Sequence, residues 1–335
     1  MQTYILKRIL LMLVTLWGIT FVSFVMLQLT PGSPLEMKLM QDKNGGLGDK
    51  SALTPETRAL LEAQYHLDKP ILVRYVLWLK DIARLDFGES FADHRPVIEK
   101  IYERLPVSLI FGLTSIVVSL LIGLPLGLLS GAFQNSFIDR FTAIAVVAMY
   151  SMPVYVIGIL LLTFFGGGDF FNWFPIYGIQ SDDYANLSMM GKILDRVHHF
   201  ILPCICYSIG SLAFITQQQR ASILEALHQD YIRTARAKGL PELSVFIKHA
   251  FRNSLIPIIT IIGALIPSIL GGAVIIETMF SIPGLGLLAW ESLLQRDYPT
   301  IMANFTISAF LSLLGIFVSD LLYMIVDPRI DFEGR

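Results

Sequence analysis

Six stretches of apolar residues, each close to or above 20 residues long, limit the folds that this chain can adopt. A hydrocarbon core about 30 Å thick is crossed by roughly 20 residues of α-helix. Helices are the expected elements, since backbone groups in lipid must be bonded within their own segment. Only 16% of the 335 residues are charged and 54% are hydrophobic, more apolar surface than a soluble core requires. The predicted spans lie near residues 9–29, 107–132, 141–165, 200–219, 255–276 and 301–326.

Basic residues predict how the chain is oriented. Lys7 and Arg8 precede the first stretch, as in a secretory signal peptide, but Thr30-Pro31-Gly32 offers no small-x-small cleavage site, so we expect a retained helix. Lys and Arg keep short loops in the cytoplasm. A cytoplasmic N-terminus places eleven basic residues of the short loops and termini inside and three outside. Six spans then put the C-terminus in the cytoplasm as well.

Residues 31–104 form a charged segment that is too long for a simple turn. Thr54, with Pro55 at the first helical position and Glu56 in the first turn, predicts the start of a helix. A second helix is predicted from Pro70 to Leu85. Long connections usually have a function or structure of their own. We therefore expect a folded external insertion, the alternative being a plain linker between spans.

Glycines and prolines within the spans indicate close helix packing and bends. Gly123, Gly127 and Gly131 recur every four residues, a spacing that lets a neighbouring helix approach closely. Proline removes a backbone N–H, and the groups freed around it must be satisfied by other helices or by water. These features favour a bundle that rearranges, although ordinary helix packing explains each of them alone. The prolines that can break or bend a span are Pro125, Pro153, Pro203, Pro257 and Pro267.

Residues 220–257 form a basic island between two predicted spans. A helix is predicted from Asp230 that stops at Gly239, a residue suited to a left-handed helix end. A second helix is predicted from Pro241-Glu242, with apolar residues along one stripe. Two short helices joined at a glycine form a compact knob at the membrane surface. Such a knob suits a groove on a soluble partner.

Specific motifs occur in this island and along the rest of the chain. The sequence YIRTARAKG at 231–239 is followed by HAFRN at 249–253 and LIP at 255–257. Further motifs are TPGSP at 30–34, YHL at 65–67, DFGES at 86–90, ET at 277–278, PGLG at 283–286, RDYP at 296–299 and VDPR at 326–329. Together they resemble the dipeptide/oligopeptide branch of ABC importer permeases over essentially the whole chain. Arg233 stands where the wider importer pattern has Glu, although the peptide branch commonly has a basic residue there.

The resemblance implies an all-α polytopic membrane protein with the type I ABC importer permease fold in a bacterial inner membrane. Residues 1–104 would hold the first helix and the insertion, 105–327 the transmembrane domain with its loop at 220–254, and 328–335 a cytoplasmic tail. In such importers two permeases form the pathway, two cytoplasmic ATPases bind the loops, and an external binding protein delivers cargo. The residues implied for coupling to the ATPase are Asp230, Tyr231, Arg233, Thr234, Ala235, Arg236, Ala237, Lys238 and Gly239.

The resemblance also implies contacts with these partners. Arg236 and Lys238 are expected to pair with acidic residues of the ATPase groove, the alternative being a solvated face near anionic headgroups. Two external regions are expected to dock the binding protein, with purely structural turns as the alternative. The residues concerned are Asp86, Phe87, Gly88, Pro283, Gly284, Arg296 and Asp297.

The sequence predicts no catalytic, cofactor or metal site in this chain, and no nucleic acid partner. ATP and Mg²⁺ are expected on the ATPase subunits. The nearest phosphate-loop pattern runs over residues 45–51, but Asp49 replaces the glycine required before Lys50. No Ser-His-Asp pattern or HExxH motif is present. Cys204 and Cys206 lie within an apolar span and are expected to pack as small residues.

Peptides are the expected cargo, with nickel, glutathione and oligosaccharides as alternatives in the same branch. His198-His199 raises the nickel alternative, although adjacent side chains point in different directions. Asp320 is charged within the last span and is expected to bond a neighbouring helix or water rather than cargo. Functions of another class are a membrane scaffold, which would never copurify with an ATPase, and an ion channel, which would conduct alone.

Overall fold

The structure, a computed structural model, describes residues 2–29, 69–167, 170–270 and 272–326. These residues fold mainly as helices, and no β-strand occurs among them, so the predicted all-α class is confirmed. The helix predicted to start at Thr54, the stretch at 45–51 that was compared with a phosphate loop and the predicted tail at 328–335 lie outside the described residues.

The α-helices of the described residues are, in chain order, α1 Gln2–Leu29, α2 Ile71–Ile82, α3 Val97–Ala132, α4 Phe137–Ser151, α5 Val154–Leu161, α6 Met189–Leu227, α7 Asp230–Ala237, α8 Glu242–Ser244, α9 Arg252–Leu270, α10 Val274–Met279, α11 Leu285–Gln295 and α12 Tyr298–Val326. Two π-helical segments, Leu162–Gly166 and Val245–Phe251, continue α5 and α8. A 3₁₀ turn spans Tyr184–Asn186.

Within the described residues, five helical regions are long and apolar enough to cross a membrane. The predicted span at 141–165 differs, because it consists of two helices bent by 101°. Pro153 disfavours helical backbone at Met152, which is extended (φ −88°, ψ 126°) and ends α4. The prediction of six spans therefore holds only if this bent pair is one span. The five regions are Ile5–Leu29, Val97–Ala132, Met189–Leu227, Glu242–Gly263 and Tyr298–Leu321. Prolines inside continuous helices include Pro203, Pro257 and Pro267.

The chain divides into two compact units, and the first comprises residues 1–106 and 288–310. In this unit α1, α2 and α12 surround an aromatic cluster centred on Tyr75. The Tyr75 ring lies 5.4 Å from the ring of Phe24, and its hydroxyl lies 2.9 Å from Thr20 Oγ1. α2 thus confirms the predicted second helix of the long segment, with shorter ends.

The second unit comprises residues 107–287 and 311–335, and α3 packs closely on α6 within it. A Cβ added to Gly123 would lie 3.1 Å from Ile215 Cγ2, and one added to Gly127 would lie 2.5 Å from Thr216 O. A Cβ at Gly131 would overlap Ile223. The predicted close approach is confirmed, and the neighbouring helix is α6.

An apolar core also joins α3, α5 and α6 in the second unit. Phe111, Ile157 and Leu202 are each buried within it. Cys206 belongs to the same cluster, and Cys204 is a buried free thiol as well. Both cysteines therefore pack as the sequence predicted.

Candidate functional site

The predicted knob has its helix and turn where the sequence placed them. α7 covers Asp230–Ala237, and Gly239 has φ +76°. Gly239 N donates to Arg236 O at 2.9 Å, and Leu240 N donates to Ala235 O at 3.4 Å. This pattern is typical of a helix that ends at a left-handed glycine. The prediction that the first helix stops at Gly239 is confirmed.

One face of α7 anchors the knob to the second unit. Ile232 is 0% exposed and Ala235 is 5% exposed, and they belong to one cluster with Ile223 and Ala226 of α6 and Val245 of the π-helical segment. Their spacing of three residues places them on the same helix face. Ala235, one of the predicted contacts with the ATPase, packs inside the chain, and its contact with the ATPase stays a prediction. Sequence reasoning did not single out Ile232, although its position three residues before Ala235 indicates the buried face.

The opposite face of α7 is exposed. Arg233 Nη1 lies 3.4 Å from Asp230 Oδ1, and Arg236 Nε donates to Glu242 Oε1 at 2.7 Å. Arg236 thus has a partner across the turn, which the sequence did not predict. Exposed ion pairs contribute only about 0.2–1 kcal/mol, so a carboxylate of another protein could replace Glu242 at small cost. Lys238 makes no ion pair with any described residue. The exposed predicted coupling residues are Asp230, Tyr231, Arg233, Thr234, Arg236, Ala237, Lys238 and Gly239.

The charge of the knob favours an acidic partner surface. Between Asp230 and Arg252 the chain has five basic residues and two acidic ones. Like-signed charges at a surface steer an oppositely charged partner and make the association depend on salt. A groove with acidic residues, or an anionic membrane surface, matches this charge.

Asp297, in the first unit, was predicted to dock a binding protein but is fully buried. Its carboxylate accepts hydrogen bonds from Ser90 Oγ at 2.6 Å, Phe91 N at 2.9 Å and Thr300 Oγ1 at 2.6 Å. Lys100 Nζ lies 3.7 Å from Asp297 Oδ2. We call residues 296–300 the Asp297 turn. Its carboxylate holds the segment at 90–91 in place, which gives Asp297 a structural role within the chain, and a contact of Asp297 with the binding protein stays a prediction.

The other predicted docking residues of the first unit divide by exposure. Phe87 is buried, whereas Asp86, Gly88 and Arg296 are exposed. Gly88 N donates to Asp86 Oδ1 at 3.0 Å, and Gly88 has φ +74°. Docking by these residues stays a prediction, and within the chain Phe87 packs as a buried side chain.

Asp93, close to Asp86 in the sequence, has a shifted pKa. Partial burial alone would raise its pKa, but hydrogen bonds from Lys100, Ser90 and the Arg95 N–H, together with the charge of Lys100, hold the pKa below its ordinary value. Lys100 Nζ lies 3.0 Å from Asp93 Oδ2. The carboxylate of Asp93 is therefore ionised at neutral pH and adds to the polar network of the first unit.

Gly284, in the PGLG motif that is predicted to dock the binding protein, lies in a buried site of the second unit. Glu277 of α10 is 0% exposed, and its Oε1 accepts from Ser108 Oγ at 2.9 Å and Tyr207 OH at 3.0 Å. A Cβ on Gly284 would lie 2.5 Å from Glu277 Oε2, so a larger residue there would displace this carboxylate. Gly284 is buried and Pro283 is half-buried, and docking of the binding protein at these two residues stays a prediction.

The smaller candidates have ordinary partners. A ring nitrogen of His198 bonds to Trp173 O, whereas His199 Nδ1 lies 2.9 Å from Asp195 O. The two adjacent imidazoles therefore have different partners, and no group of three metal-ligating side chains occurs among the described residues. Asp320 lies half-buried in α12, and its predicted bond to a neighbouring helix or water stays a prediction.

Comparison with known proteins gives the family. Residues 123–332 match the family described as binding-protein-dependent transport system inner membrane component, and residues 1–112 match the N-terminal region of such membrane components. The oligopeptide transport system permease protein AppB of Bacillus subtilis is 39% identical, over 99% of this chain and 100% of the relative. The peptidoglycan transport system permease protein YejB of Agrobacterium fabrum is 36% identical over 100% of both chains. The dipeptide transport system permease protein DppB of Escherichia coli is 34% identical, over 98% of this chain and 99% of the relative.

The chain therefore belongs to the family of inner membrane components of binding-protein-dependent transport systems. The match at 123–332 includes the whole knob, and the resemblance to ABC importer permeases that rested on the 231–239 motif is confirmed. A member of this family is a multi-pass membrane component of a transporter that works with a binding protein. The long apolar helices agree with that assignment.

Proposed function

We propose that this chain is the permease subunit of an ATP-driven peptide importer. It forms half of the translocation pathway with a second, homologous permease and couples to two cytoplasmic ATPase subunits through residues 220–254. Relatives named as oligopeptide and dipeptide permeases, aligned along nearly their whole length, support peptides as cargo. Both termini lie in the cytoplasm, as the distribution of basic residues favours.

The observation that supports the coupling role is that α7 has one buried face and one exposed face. Tyr231 and Arg233 are exposed on this helix and Lys238 is exposed just after its end, while Ile232 is fully buried in a cluster with residues of α6. A helix held in this way transmits a displacement, because it cannot rotate or shift without opening a packed cluster. ATP binding and Mg²⁺ binding belong to the ATPase subunits, and this chain itself hydrolyses no ATP.

A cavity in the second unit supports a role in the pathway. It has a volume of 480 Å³ and is lined by Ser115, Tyr150, Tyr207, Ser211 and Phe214 among others. Ligand sites of about 300–1,000 Å³ are mostly apolar with a few polar groups that fix orientation. Hydroxyl groups and aromatic rings suit the backbone and side chains of short peptides, and this cavity contributes one wall of the cargo route.

The cargo proposal is tested with the complete transporter in liposomes. The chain is reconstituted with its second permease, both ATPases and the binding protein, and uptake of labelled dipeptides, longer peptides and peptidoglycan fragments is measured with and without internal ATP. We expect ATP-dependent uptake of at least one peptide class. Nickel and glutathione serve as competing cargoes. Binding of nickel without any peptide by the binding protein would contradict the proposal.

The coupling proposal is tested at Lys238, an exposed residue in the turn that ends α7. Lys238→Glu reverses a charge that has no ion-pair partner among the described residues, so it should weaken copurification of the ATPases, most strongly at low salt. Lys69→Glu, the same change at an exposed position of the first unit, is the matched control. Equal ATPase recovery with both variants and the wild type would exclude this turn as the contact.

A further inference from the structure

An ion pair between the half-buried Arg220 and the buried Asp139 joins the end of α6 to α4 in the second unit. Arg220 donates to Asp139 twice, from Nε to Oδ1 at 2.6 Å and from Nη2 to Oδ2 at 2.9 Å. Asp139 is 3% exposed, and its carboxylate also accepts from Ser130 Oγ at 2.6 Å and from Asn135 N at 2.9 Å. Four hydrogen bonds thus connect α3, the α3–α4 turn and α6 to one carboxylate.

The α3–α4 turn is built around this carboxylate. Asn135 has φ +63°, a left-handed conformation that Asn tolerates better than most residues. Ser136 caps α4 by accepting from Asp139 N at 3.3 Å. Asp139 therefore stabilises the start of α4 in two ways. Its backbone N–H donates to the capping residue Ser136, and its carboxylate accepts from the N–H of Asn135 in the preceding turn.

The backbone of Arg220 lies where α3 and α6 pack closely. A Cβ added to Gly127 would lie 3.1 Å from the backbone nitrogen of Arg220, and a Cβ added to Gly131 would lie 3.4 Å from its backbone oxygen. Arg220 is thus held by α3 through its backbone and by α4 through its guanidinium. A displacement of α6 at this position must act on both helices.

Arg220 also lies just before the knob. Ile223 and Ala226, three and six residues further along α6, belong to the cluster that buries Ile232 of α7. A continuous set of contacts therefore runs from α7 through this cluster to Arg220 and on to Asp139.

We propose that Asp139 and Arg220 are positioning residues that make α3, α4 and the end of α6 move as one body when α7 is displaced. The proposal rests on the proposed coupling function. Packed elements transmit a displacement only where the contacts between them have discrete arrangements and do not yield. The bidentate geometry on a buried carboxylate supplies such a contact, since a guanidinium holds a carboxylate in a fixed orientation. ATP hydrolysis would continue without the ion pair, but less of it would drive transport.

The rigid link is tested with spin labels in the purified transporter complex. Labels replace the exposed residues Phe137, at the start of α4, and Glu225, near the end of α6, in a chain that carries Cys204→Ala and Cys206→Ala. We expect a narrow distance distribution that stays the same with and without ATP. In Asp139→Asn, which keeps the side-chain shape but removes the charge, the distribution should broaden, and more so with ATP.

Transport by the same variant supplies the second readout. The ratio of ATP hydrolysed to peptide imported should rise roughly threefold to tenfold in Asp139→Asn, in line with the usual size of coupling changes. Loss of complex alone lowers both rates together and leaves this ratio unchanged. Glu103→Gln, which removes a carboxylate from the exposed Arg95–Glu103 pair of the first unit, is the control and should match the wild type.

Variants at Arg220 keep the proposal testable if Asp139→Asn yields too little protein. Arg220→Lys keeps the charge but not the two-point contact, so its distance distribution and ATP-to-peptide ratio should change less than those of Arg220→Gln. A native distribution and a native ratio in both Arg220 variants would overturn the proposal. If the wild-type complex imports no peptide while the labels behave as expected, the proposed function fails and the rigid link stands.

Discussion

The knob at 230–252 and the Asp297 turn both contain charged residues, but they differ in which side chains are buried. The knob buries apolar side chains and exposes its charges, whereas the Asp297 turn buries a charge. In the knob, Arg233 and Lys238 are exposed, and the apolar Ile232 is fully buried. In the Asp297 turn, the carboxylate of Asp297 is fully buried, and the neighbouring Arg296 is exposed. Each region belongs to a different compact unit, and each has its own network of contacts.

This difference shows why charge at a turn is a poor guide to partner contacts. An exposed charge keeps its solvation and gains or loses little within the chain, so it is available to a partner. A buried charge must be bonded inside the chain, and removal of one member leaves the others unsatisfied. Burial, rather than residue type, decides whether a charged residue of this chain serves the fold or a partner.

The largest effect is expected where the buried charge is removed. Asp297→Ala would leave Ser90 Oγ, Phe91 N and Thr300 Oγ1 without their acceptor, and breaking a buried charge network of this kind costs about 3–5 kcal/mol. We expect a severe loss of folded protein, measured by membrane yield and thermal unfolding. Arg296→Gln changes the exposed neighbour and is the matched control. Similar stability of the two variants would remove the distinction drawn between buried and exposed charges.

The next effect is expected at the buried side of the knob. Ile232→Ala removes a fully buried side chain from the cluster that anchors α7, at a cost of about 2–4 kcal/mol, whereas Ile232→Val removes one methylene and costs about 0.5–1.5 kcal/mol. ATPase copurification and peptide uptake should fall in that order. Both are measured on complexes of equal permease content. If Ile232→Ala were to bind the ATPases as well as the wild type, a firm anchor would be unnecessary for coupling.

A smaller effect is expected at the turn of the knob. Gly239 has φ +76° and open space around the position of a Cβ, so a substitution causes backbone strain rather than a clash. A β-branched residue in this conformation costs about 1–2 kcal/mol, whereas Asn adopts it more readily. Gly239→Val should therefore reduce uptake, and Gly239→Asn should retain most of it. Equal uptake in the two variants would show that the left-handed turn is dispensable.

The sequence predicted the local elements that depend on short-range rules. The end of α7 at Gly239 follows from the conformational freedom of glycine, and the α3–α6 contact follows from the spacing of Gly123, Gly127 and Gly131. The bend at Pro153 was foreseen as a break or bend, but the same rule applied equally to Pro257, which lies inside a continuous helix. Local chemistry indicates where a helix can break, and tertiary packing decides where it does.

The sequence could not predict contacts between residues far apart in the chain. Asp139 and Arg220 are 81 positions apart, and Ser90 and Asp297 are 207 positions apart. No spacing rule relates such pairs, so Asp297 was assigned to docking and the Asp139–Arg220 pair was not singled out. The buried and exposed sides of α7 could have been predicted from the sequence. Ile232 and Ala235 are three residues apart and share one helix face, and the residues between them are polar.

The smallest effect is expected at the exposed ion pair of the knob. Arg236 and Glu242 bond across the Gly239 turn, and an exposed pair of this type is worth only about 0.2–1 kcal/mol. Glu242→Gln should leave the stability of the complex almost unchanged. It also frees the Arg236 guanidinium for a partner carboxylate, so ATPase binding should become slightly tighter at low salt and match the wild type at high salt. Binding is measured by titration of the ATPase onto the reconstituted permease pair. A marked loss of ATPase binding in Glu242→Gln would show instead that the pair braces the knob, and the exposed charges of this region would then serve the fold as Asp297 does.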